Sequence, residues 1–120
     1  MNFKVSVRHA GNVAIVDLAG KITLGEGCGM VRSTIKDLVN GGSRNILANL
    51  KDVTYLDSAG LGELVGSYAT ITNLGGAIKL LHAQGKVKDL LAVTKLYTVF
   101  VAFDNEAEAL RSFSTEAATA

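Results

Sequence analysis

The stretch that decides the fold is Tyr55-Leu56-Asp57-Ser58-Ala59-Gly60-Leu61-Gly62-Glu63-Leu64. A short apolar strand ends at Leu56, two capping residues follow, and a helix begins at once. The first N–H groups of a helix are unpaired, and they carry a partial positive charge. Asp57 and Ser58 are both good caps for such a start, and the same geometry favours a phosphate. Gly60, Gly62 and Gly66 lie in the first two turns or so, where an interior glycine costs about 1 kcal/mol relative to alanine. A local sequence that contradicts its own structure marks a functional or a close-packing site. Two readings therefore stay open. In one, Ser58 only caps the helix and the glycines let it sit tight on a strand. In the other, the missing side chains let a second surface approach a Ser58 that is open to modification.

Working outward, Phe3, Val5 and Val7 alternate with Lys4, Ser6 and Arg8, the period of a half-buried strand. Gly11-Asn12 signals a hairpin turn, so Val13 to Leu18 is expected to pair antiparallel with the first strand. Met30, Val31, Ile35, Leu38 and Val39 give a helix over Glu26 to Val39, and Asn40-Gly41-Gly42 stops it. Asn45 to Leu50 reads as a buried strand and Val53 to Leu56 as a separate, very short extended piece. A helix from about Ala59 to Leu74 ends at Gly75-Gly76. Ala77 to His82 reads as a strand, Val87 to Val93 as a short helix, Val99 to Phe103 as a short strand, and Asn105 to Phe113 as a last helix. Two strands followed by alternating helix and strand predict an α/β fold. Its sheet is mixed, with an antiparallel N-terminal hairpin and a mostly parallel core, and there are about four helices. One domain over 1–113 is expected, with a flexible tail over 114–120.

Composition narrows the function classes. The chain has 120 residues, 48% hydrophobic and 19% charged, enough to bury one core. A net charge of +1 argues against a nucleic-acid footprint, which needs a clustered basic surface. The N-terminus lacks the apolar core of a signal peptide, and no run approaches the roughly 20 apolar residues of a membrane helix. The single cysteine, Cys28, permits no internal disulfide and suits a cytoplasmic setting.

Most site chemistry fails on spacing. A nucleophile elbow wants Gly-x-Ser-x-Gly, but Leu56 holds the first glycine position. Only His9 and His82 could serve as base, and His82, closing a strand on the ligand-binding side of an open sheet, is the better placed. A dinucleotide loop wants Gly-x-Gly-x-x-Gly, and Gly60, Gly62 and Gly66 have one residue too many in the second gap. Cys28 has no clustered partner, so no metal site is expected. No catalytic residue and no cofactor is assigned.

Asp57-Ser58-Ala59-Gly60-Leu61-Gly62 resembles the signature of the STAS family of anti-sigma factor antagonists. The likeness extends to Val16–Ile22, Asn45–Leu50, Asn73–Leu80, Val87–Leu91 and Leu96–Phe100, in the family's order and spacing. It implies a bacterial binding switch and not an enzyme. The residue matching Ser58 is phosphorylated by an anti-sigma factor that is also a serine kinase, and a phosphatase resets it. The kinase holds the ATP. The unphosphorylated form binds that kinase, and the phosphorylated form lets go. The partner surface implied comprises Thr23, Asp57, Ser58, Ala59, Gly60, Leu61 and Gly62. Many family members carry an acidic residue where this chain has Thr23. The alternative is a scaffold or a small-ligand or nucleotide-binding module of the same fold, with Ser58 unmodified.

Overall fold

The computed structural model describes residues 3–119. The chain opens with the expected hairpin. Strands β1 (Lys4–Ala10) and β2 (Val13–Ile22) run antiparallel and meet at the pair Ala10–Val13, across Gly11-Asn12. Helix α1 (Glu26–Asn40) then leads to β3 (Asn45–Leu56), which is parallel to β2. Helix α2 (Ser58–Asn73), β4 (Ala77–Leu81), α3 (Gly85–Val93), β5 (Ala102–Phe103) and α4 (Glu106–Thr119) follow. The five-stranded sheet has the order β1-β2-β3-β4-β5, antiparallel only at its first pair. The mixed sheet and the four helices are as the sequence predicts.

Four boundaries differ clearly from the sequence reading. β2 runs on past Leu18 to Ile22. Asn45–Leu50 and Val53–Leu56 are one strand. Lys51 and Asp52 look like a break because both are exposed, yet the ladder continues through them, with Asp52 opposite Ala19. Opposite Asp17–Ala19 and Gly20–Lys21, β3 carries one residue more than β2, between Asn49 and Asp52 and between Val53 and Tyr55, and these bulges keep the two strands paired. The strand predicted over Val99–Phe103 shrinks to Ala102–Phe103. Before it, a 3-10 turn at Leu96–Thr98 carries the chain inward, so that Phe100 is buried and meets Tyr68 edge-on at 5.5 Å. Finally, α4 does not stop at Phe113 but runs on to Thr119, so the tail expected from Ser114 is helical that far. Its Glu and Ala content suits a helix. Ala120 lies outside the described residues.

The sheet is covered on both faces. Alternate residues Ala14, Val16 and Leu18 of β2 and Ile46, Ala48 and Leu50 of β3 pack under α1, α2 and α3 with Val31, Leu64, Ile71 and Val87. The other set, Val13, Ile15, Leu47 and Leu81, packs under α4 through Ala109 and Phe113. Polar contacts pin α4. Arg8 on β1 donates to both carboxylate oxygens of Asp17 (2.6 and 3.0 Å) and to Glu106 on α4 (2.9 Å). Asn49 on β3 donates to the same Asp17 carboxylate at 2.8 Å. The buried Lys79 donates to Ser112 at 2.9 Å, and its ammonium lies 4.6 Å from the Phe113 ring centroid.

The helix starts converge on the end of β2. A Cβ on Gly27 of α1 would lie 2.6 Å from the Lys21 carbonyl oxygen, and one on Gly60 of α2 would run into the Ile22 carbonyl oxygen. Both helices reach the strand only because these residues have no side chain. A Cβ on Gly62 would meet no atom within 4 Å.

Gly60→Ala should therefore destabilise the fold by at least about 2 kcal/mol, because backbone must move to admit the methyl group. Gly62→Ala should be neutral or stabilising by up to about 1 kcal/mol. Urea denaturation of the two variants checks the contrast. A second expectation concerns acid. The Arg8 guanidinium, aided by Asn49, holds the Asp17 carboxyl below the usual carboxylate range. Its stabilisation is present above the unfolded-state value and is lost as pH falls through the depressed one. Asp17→Asn should lower stability by no more than about 1 kcal/mol at neutral pH, since the pair is half exposed. The gap from wild type should close in strong acid.

Candidate functional site

The signature segment turns from strand to helix within one residue. Asp57, extended at φ −94° and ψ −177°, is the N-cap of α2, and its Oδ1 accepts from the Gly60 N–H at 2.8 Å. Its Oδ2 accepts from the Leu24 N–H at 3.1 Å, across the loop between β2 and α1. The Gly60 N–H first, then the Leu24 N–H, hold this carboxyl below the usual carboxylate range. The Asp57 N–H itself donates to the Ile22 carbonyl at 3.3 Å.

Capping is thus the work of Asp57. Ser58 is the first helical residue and is exposed. The two readings of the glycines divide between them. Gly60 is buried and packs against β2, the close-packing reading of this glycine. Gly62 is exposed with empty space beside it. Ala59 and Leu61 are half-buried and lean on the core. Thr23 is half-buried, and its carbonyl accepts from the Cys28 N–H at 3.1 Å, so α1 starts against the same loop. The structure brings Thr23 to the Ser58 turn through its neighbour Leu24.

Sequence reasoning missed Leu24, which is 81% exposed. The signal was an apolar residue between Thr23 and Gly25 in a turn. It also missed two contacts near the site. Arg32 of α1 pairs with Glu63 of α2 at 2.7 Å and ties the helices together. The Lys86 ammonium at the start of α3 stands 5.6 Å from the ring centroid of Tyr55.

The other candidate chemistry gains no support. His82 closes β4 at φ +58°, and its N–H donates to the Phe103 carbonyl at 2.8 Å, a backbone role. Burial pushes the Cys28 thiol up, away from a reactive thiolate. Among the described residues no group of three or more His, Cys, Asp or Glu could hold a metal ion, and no helix is long and apolar enough to cross a membrane. A cleft of about 370 Å³ between α1 and α2 is lined by Arg32, Ile35, Lys36, Glu63, Gly66 and Thr70, and not by Ser58 or His82.

Comparison with known proteins follows the same line. The STAS domain model matches residues 4–109. An anti-sigma F factor antagonist of Paenibacillus polymyxa is 30% identical over 111 residues, covering 92% of this chain and 94% of that protein. An anti-sigma-B factor antagonist of Bacillus subtilis is 32% identical over 96 residues, covering 80% and 86%. A crystal structure from Thermotoga maritima superposes with a TM-score of 0.85 at 24% identity, covering 92% of this chain and 94% of that one, and so shares the fold. Agreement in sequence over this span, on the hairpin-led mixed sheet described above, places the chain in the STAS domain family.

Proposed function

We propose that this chain is an anti-sigma factor antagonist, a binding protein whose grip on an anti-sigma factor serine kinase is released by phosphorylation of Ser58. The observation that carries this reading is the division of labour at the start of α2. Asp57 provides the cap, so the exposed Ser58 hydroxyl has no structural duty there. The two relatives named as anti-sigma factor antagonists support the class of partner.

The chemistry needs little from this chain. The Ser58 oxygen would form a bond to the γ-phosphorus of ATP held by the kinase. The bond to ADP breaks, ADP leaves with its electron pair, and the hydroxyl proton passes to a base of the kinase. A phosphatase would return the hydroxyl by hydrolysis.

Electrostatics then explain release without refolding. The phosphate adds about −1.5 to −2 charges at neutral pH. The helix start is already answered by the Asp57 carboxylate, which takes the Gly60 N–H and repels the new dianion. The phosphate is therefore turned toward solvent, where the partner must approach. Docking against it costs desolvation, and a loss of about 3 kcal/mol weakens binding more than a hundredfold.

The test is to incubate the chain with Mg-ATP and each anti-sigma-type serine kinase of the same genome, and to read Ser58 by mass spectrometry. Modification at Ser58 is expected with one of them. Ser58→Ala should bind that kinase and stay unmodified. Ser58→Asp should unfold at the wild-type midpoint yet bind at least about tenfold more weakly by calorimetry. Binding of Ser58→Asp as tight as wild type would rule out exclusion by charge. Binding with no modification of Ser58 would favour a scaffold of the same fold.

A further inference from the structure

Among the described residues Leu24 and Val93 are the two most exposed large apolar ones, at 81% and 80%. They differ in what holds them. Val93 is the last residue of α3. Leu24 sits in the middle of a loop that is fixed at three consecutive residues. The Thr23 carbonyl accepts from Cys28 at 3.1 Å, the Leu24 N–H donates to Asp57 at 3.1 Å, and the Gly25 carbonyl accepts from Gly29 at 2.9 Å. An apolar side chain is thus presented to water on a rigid backbone, joined through one carboxylate to the residue that caps the Ser58 helix.

We infer that Leu24 is the apolar anchor with which this chain grips the kinase that modifies Ser58, and that the kinase offers an apolar pocket beside its nucleotide site. This rests on the reading of Ser58 given above. Whatever delivers a phosphoryl group to Ser58 must cover the start of α2, and the Asp57 carboxylate fixes the Leu24 backbone to that start. Binding energy concentrates in a few apolar anchors that fill pockets, surrounded by polar contacts of small net effect. An anchor whose backbone is already ordered loses little freedom on docking. Thr23 and Ser58 supply the polar surround. Leu24 then contributes affinity that is independent of the state of Ser58, while the phosphate contributes the veto.

The experiment uses the full chain and the kinase that phosphorylates Ser58 in the assay above. Leu24→Ser should weaken the Kd about 30-fold, and Val93→Ser should leave it within about twofold. Both variants should keep the wild-type unfolding midpoint. The KM of phosphorylation should rise for Leu24→Ser with kcat unchanged, which a general loosening of the fold would not produce. If Leu24→Ser binds within about twofold of wild type while Ser58→Asp still loses binding, the anchor is wrong and the switch stands. If the wild type sediments as a dimer that Leu24→Ser dissolves, the occupant is a second copy of this chain and the inference is overturned. If no kinase modifies Ser58, both fall together.

Discussion

Everything near Ser58 hangs on the last two residues of β2. The carbonyls of Lys21 and Ile22 receive Gly27 from α1 and Gly60 from α2 at distances no side chain would permit. The same Ile22 carbonyl accepts from the Asp57 N–H. Two helices therefore begin at one strand end. Each glycine weakens its helix by about 1 kcal/mol relative to alanine. That loss is outweighed by the close approach, which lets a single carboxylate reach the start of α2 and the loop that leads into α1.

Asp57 is that carboxylate, and its position sets the electrostatics of the whole corner. It satisfies the Gly60 N–H, fixes the Leu24 loop, and neutralises the helix end that would otherwise attract an anion. Ser58 is left with its side chain in water and no local role. A modification there changes the surface and not the scaffold. The Arg32–Glu63 pair, farther along the same two helices, keeps them in one relative position. The corner is stiff, so a partner docking there, as proposed, would leave little ordering for binding to supply.

The opposite face of the sheet has a different character. There α4 covers Ile15, Leu47 and Leu81 and is tied down by the Arg8–Asp17–Glu106 cluster and by Lys79. These ionic groups join elements far apart in the chain. Arg8 lies on β1 and Glu106 on α4, and no local pattern links them. Their arrangement serves the fold.

Periodicity alone determined the order of elements, because a strand or helix with one buried face writes its period into the residues. Val13–Leu18, Met30–Val39 and Ala77–His82 were legible for that reason, and so was the strand-to-helix turn at Leu56–Ser58. Length and pairing were not. Lys51 and Asp52 hid the continuity of β3, since pairing with β2, across bulges in β3 itself, supplies the ladder there. β5 starts only at Ala102 because the Phe100 ring before it turns into the core against Tyr68. At the site, the residue types showed that a capped, glycine-rich helix start was present. They could not say which of Asp57 and Ser58 was the cap, nor which glycine was packed and which was open. Those answers depend on where the Ile22 carbonyl and the Leu24 N–H lie. Both belong to a segment more than 30 residues away in sequence, and only folding brings it against the helix start.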